Sequence, residues 1–175
     1  MRNILERHLQ QLNLQLNELL KDLANYTSAQ LNRVPAPGSW SALQVLNHLQ
    51  LSEQFSRQYC EKKLSFKPKL PKAGLTASVR SKIVTTYLQS PLKAKAPKFI
   101  AGSALPATDE LDNVAQKYQH QRQKLARFLA TVDEEYLDKQ VYKHPLGGRL
   151  SIEGMLLFFN AHFQHHRKQI YRALA

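Results

Sequence analysis

Cysteine is nearly missing from this chain: Cys60 is the only one in 175 residues. An intramolecular disulfide is therefore excluded, and a reducing, cytoplasmic setting is the expectation. Long apolar runs are missing as well. The opening "MRNILERHLQQLNLQLNELL" is broken by charged and amide side chains, so it predicts neither a signal peptide nor a membrane span. Strand-like alternation is absent from every long segment, which points away from a sheet and towards helices. Acids are scarce, 13 against 25 Lys and Arg, giving a formal charge of +12. Between Arg57 and Lys98, eleven basic residues face the single acid Glu61. A proline-rich basic stretch of that kind fits a solvated surface, an anionic small molecule or a phosphate backbone. The nucleic-acid reading is the weaker partner expectation, and it requires affinity that falls steeply with salt.

What is present is helical periodicity. Leu5, Leu9, Leu12, Leu16, Leu19 and Leu23 recur at spacings of four and three, one apolar stripe suited to a bundle seam. "RVPAPGSW" stops the chain with two prolines and a glycine. Ser41 and Gln44 then form a capping box, predicting a second helix from Ser41 to about Ser65. "FKPKLPKAGLTA" reads as a loop, and a short helix is expected over 78–89, ending before Pro91. Thr108, Asp109 and Glu110 open a third long helix, since acids there complement the helix dipole. Leu111, Val114, Tyr118, Leu125, Phe128 and Val132 form its inward stripe. "YKHPLGGRLS" reads as a turn on Pro145 and the Gly147-Gly148 pair, and Ser151 caps the last helix. Residues 1–175 thus predict one all-α domain: a four-helix bundle with a long crossover connection. Tyr59, Tyr118 and Phe159 read as core. Trp40 reads as a plug beside the start of the second helix.

The chemistry gathers in "NAHFQHHRKQI". His162 and His166 follow the stripe of Ile152, Met155 and Phe159, one turn apart, so both imidazoles reach one point in space. The same spacing also serves two hydrogen-bonded core histidines. On the second helix, His48 lies among apolar neighbours, where burial is costly unless its nitrogens have partners. If the two helices touch, His48 becomes a third ligand, and three imidazoles leave an open fourth position. His165 sits off this line as a flanking residue. Gln44, Asn47 and Gln169 are candidates to orient the ligand rings.

"GSWSALQVLNHLQLSEQF", followed far downstream by "HPLGGRLSIEGMLLFFNAHFQHHRKQI", resembles the DinB-like superfamily of metal-dependent helical proteins. The likeness covers nearly the whole chain and is most specific at Trp40-Ser41 before His48 and at His162, His166, Gln169 and Ile170. It implies an antiparallel four-helix bundle in which His48, His162 and His166 hold a divalent metal, zinc or nickel. Members include thiol-dependent transferases and isomerases, and related bundles often pair as dimers. The family's name comes from a DNA-damage response and implies no DNA binding.

Two reactions on a small-molecule substrate fit such a centre. Hydrolysis normally recruits a carboxylate to shuttle protons, yet Phe163 and Gln164 follow His162 where the metalloprotease motif has glutamate. Glu53, the acid nearest His48, is turned about 140° away on an ideal helix. A thiol made nucleophilic by a metal needs no such base, which favours transfer of a low-molecular-weight thiol to an electrophile. His165 is the candidate proton carrier, and no other catalytic residue is assigned. His144, before Pro145, is expected near the cavity mouth. Cys60 has no activating partner and is not expected to be a nucleophile.

Overall fold

A computed structural model describes residues 1–74, 80, 82–83, 86, 104–145 and 147–175. Four long helices dominate: α1 (Arg2–Leu23), α3 (Ala42–Leu64), α4 (Leu111–Thr131) and α5 (Ile152–Leu174), and the short α2 (Ser28–Asn32) links the first two. Local chemistry sets the starts. The hydroxyl of Ser41 accepts from the backbone N–H of Gln44, whose side chain accepts from the Ser41 N–H in return. Thr27 and Gln30 build the same reciprocal cap on α2, which the sequence reading passed over. Each cap satisfies N–H groups that have no partner inside the helix, worth roughly 1 kcal/mol.

Side-chain pairs fix the directions. Asn47 meets Asp109 at 3.3 Å, Glu53 meets Arg122 at 2.6 Å and Arg57 meets Gln121 at 3.2 Å, so α3 and α4 run parallel. Likewise α1 and α5 run parallel, through Gln15–Asn160 at 2.9 Å and Asp22–Tyr171 at 2.5 Å. The pairs α1/α4 and α3/α5 are antiparallel, as Arg2 on Leu129 and Cys60 on Met155 show. Helices α1 and α3 each pack on both α4 and α5, which sets them at opposite corners of an up-down-down-up bundle. This refines the antiparallel arrangement expected from the resemblance. It also explains the long connection: a chain leaving the end of α3 must travel the bundle's length to begin a parallel α4.

Leu5, Leu12, Leu16, Leu19 and Leu23 of the α1 stripe are buried, and so are Val114, Tyr118, Leu125, Phe128 and Val132 from the third stripe. The core falls into two clusters, one around Leu12, Leu125, Met155 and Phe159, the other around Leu16, Leu46, Tyr118 and Phe163. A polar layer separates them, built from Asn13, Gln15, Glu53, Arg57, Gln121, Arg122 and Asn160. At its centre the Arg122 guanidinium grips Glu53 with two bonds of 2.6 and 2.8 Å, while Tyr118 donates to the same carboxylate at 2.6 Å.

Three expectations are corrected. The turn at 142–150 is a small antiparallel hairpin, β1 (Tyr142–His144) with β2 (Gly148–Leu150), in which Gly148 takes a positive φ of 70°. Three-residue strands are too short to reveal an alternation. Tyr59 is not core: it is 38% exposed, with its ring against Tyr142 at 6.4 Å. Arg57 does not belong to a solvated basic surface, because it is 5% exposed and is paired with Glu61. Most of the helix expected over 78–89 lies outside the described residues, as do Lys93, Lys95 and Lys98; within it, Arg80, Lys82, Ile83 and Thr86 are helical. Among the described residues no helix is long and apolar enough to cross a membrane.

Candidate metal centre

His48 comes from the second turn of α3, just past the Ser41 cap, and His162 and His166 from the middle turns of α5. Because α3 and α5 are antiparallel neighbours, the three rings meet. One ring nitrogen from each lies within 4.8 Å of the other two, and all three residues are buried. His48 Nε2 stands 3.2 Å from His162 Nε2. Two ligands held 2.0–2.1 Å from a tetrahedral zinc ion stand about 3.3–3.4 Å apart, so this spacing fits a shared cation. The Nδ1 of His166 is 2.8 Å from Gln169 Oε1. An amide oxygen can only accept, so His166 carries its proton on Nδ1 and leaves Nε2 for the cluster.

The surroundings hold these rings and favour the neutral form of His162 and His166. Phe158, one turn before His162, stacks on it with centroids 5.0 Å apart, and Trp40 lies 5.0 Å from His48. Burial, then the neighbouring imidazoles, pushes His162 well below the ordinary histidine range. Burial likewise lowers His166 to about 3, against the Gln169 hydrogen bond that acts the other way. A metal ligand must be deprotonated, so this environment suits the task. His144, in β1, touches Phe158 edge-on at 4.4 Å and links the hairpin to the site. His165 is half-buried, its ring 5.0 Å from that of His166.

Of the three candidates for orienting ligand rings, Gln169 contacts His166. Gln44 closes the α3 cap and donates to Pro106 O at 3.2 Å, and Asn47 donates to Leu43 O and Asp109. Both sit on the side of α3 turned to α4. Glu53 is the interhelical acid its 140° offset predicts, fully engaged by Arg122 and Tyr118. Cys60 is buried against Met155, and desolvation raises its thiol to about 12, the reverse of an activated nucleophile. Phe158 escaped the sequence reading, although its place four residues before His162 was the available signal.

An up-down-down-up bundle whose second and last long helices bring three buried histidines together is a helical protein with a cluster able to hold a metal ion. The DinB superfamily model matches residues 11–170, and the chain belongs to that family. No curated protein matches it significantly. Among solved structures it is similar to YfiT from Bacillus subtilis, described as a probable metal-dependent hydrolase with an unusual four-helix bundle topology. The identity is 16%, the TM-score 0.56, and the match covers 97% of this chain and 85% of that one. At that identity the likeness establishes the fold.

Proposed function

We propose that the protein is a metal-dependent enzyme whose divalent cation, zinc or nickel, is held by His48, His162 and His166. The observation that carries this reading is the convergence of three buried imidazoles from two antiparallel helices on one point. A divalent ion there acidifies a water or thiol presented to it by many orders of magnitude. The protein's own groups do the rest. Gln169 fixes the tautomer of His166, Phe158 and Trp40 hold two rings by packing, and His165 stands beside the ligands to move a proton.

The favoured reaction is transfer of a low-molecular-weight thiol to an electrophilic small molecule. Its support is the engagement of Glu53, the nearest acid in the α3 sequence, by Arg122 and Tyr118, which withdraws it from proton shuttling. Hydrolysis is the second reading, favoured by the position of His165 and by the likeness to YfiT.

Elemental analysis of protein purified without a nickel column tests the centre. About one divalent ion per chain, lost in His48→Ala and His166→Ala, is the expected result; a metal-free preparation that takes up no zinc or nickel refutes it. Screening the loaded protein with thiols against electrophiles, and with ester and amide substrates, then separates the two reactions.

A further inference from the structure

The geometry points to a second binding site, an anion-binding groove on the outer face between α3 and α4, suited to a small elongated molecule with a carboxylate or phosphate group at each end. This groove encloses about 560 Å³, within the range of small-molecule sites. Its α4 wall presents Lys117, His120 and Lys124, one face of the helix at spacings of three and four. Lys117 and Lys124 are thus roughly 10 Å apart along the axis. Lys117 shares Asp109 at 3.4 Å, whereas Lys124 and His120 have no ion pair or hydrogen bond among the described residues. Leu51 and Leu105 supply an apolar surface between the charged ends.

The floor has the same bias. Gln121 lines the groove and is 5% exposed. Its Oε1 accepts from Arg57 Nη2 at 3.2 Å, which turns its Nε2 the other way. That Nε2 is a buried donor without a partner among the described residues. An unpaired buried donor is costly, and one behind a wall of cations favours an acceptor-rich, negative occupant. A cationic or purely apolar ligand leaves that donor unanswered. The groove is independent of the histidine centre, since α5 contributes nothing to it.

Calorimetric titration of the full chain at low salt, with suberate and with fructose 1,6-bisphosphate as probes, tests the site. One-to-one binding of at least one probe is expected, and the probe that binds tells carboxylate from phosphate. Lys117→Gln and Lys124→Gln should each weaken it by about five-fold or more, while Lys168→Gln, on α5, leaves it unchanged. Three results overturn the proposal. They are no binding at millimolar probe, equal weakening by Lys168→Gln, which marks general attraction to a +12 chain, and loss of binding in His166→Ala, which places the anion at the histidines.

Discussion

Replacing Arg122 by Met probes the polar layer that divides the core. Both partners of the Arg122–Glu53 pair have side chains only 4% exposed. Methionine fills much of the same volume but withdraws two charged hydrogen bonds, at 2.6 and 2.8 Å, from a carboxylate that water cannot reach. Breaking a buried pair by removing one partner costs about 3–5 kcal/mol, because the remaining charge stays desolvated. At about 2–4 °C per kcal/mol for a chain of this length, the melting temperature should drop by roughly 6–20 °C. The triple replacement Glu53→Leu, Tyr118→Phe and Arg122→Met removes charge, donor and acceptor together. Apolar residues of similar volume often match or exceed a buried pair, so the triple variant should return to within about 1 kcal/mol of the parent. Urea unfolding followed by circular dichroism measures all three proteins. The reasoning fails if Arg122→Met alone costs less than about 1 kcal/mol, or if the triple variant is as unstable as the single one.

Gln169→Leu should weaken zinc affinity about 10–100-fold in a chelator competition, with helicity unchanged, because it frees His166 to rotate and change tautomer. Ser41→Ala should cost about 1 kcal/mol in urea unfolding, through the orphaned N–H of Gln44 at the start of α3. His144 predicts an acid sensitivity. Burial lowers its pKa to about 4 from an ordinary 6.5, so between those values the unfolded chain binds a proton that the folded one does not. The stability this gives is therefore complete above pH 6.5 and drains away towards pH 4. In His144→Asn the side-chain oxygen can still accept from the Gly147 N–H, as Nδ1 does at 2.8 Å. Stability measured across that window should then fall less steeply than in the parent, and equal slopes would discard the assignment.

The helices and the histidines were readable because each has a local signal. Leucines at three-four spacing can bury themselves only as a stripe, Ser41 with Gln44 announces a helix start, and His162 with His166 must share a face. Directions were not readable, since a stripe is the same whichever way its helix runs. The parallel α3/α4 pair rests on contacts such as Glu53 to Arg122, 69 residues apart. The third stripe did hint at the polar layer by skipping from Tyr118 to Leu125, but nothing local said that Gln121 and Arg122 turn inwards there. Arg57 misled for a related reason. A cation among lysines resembles surface until the opposite helix brings an amide and Glu61 encloses the guanidinium. The hairpin was hidden by its length, and Gln44 and Asn47 by a rotation about the α3 axis that only the packing of α4 reveals.

Because α1 and α3 occupy opposite corners, each depends on α5 for half of its lateral packing. A nascent chain that has finished α4 therefore still lacks one of the two helices that join the flanks, and with it two of the three imidazoles. The pocket is assembled last, by closing contacts such as His48 to His162 across 114 residues. Pairings of such long sequence separation slow a helical protein's folding relative to a bundle with local neighbours only. Translation must pass through α5 before the three imidazoles can meet.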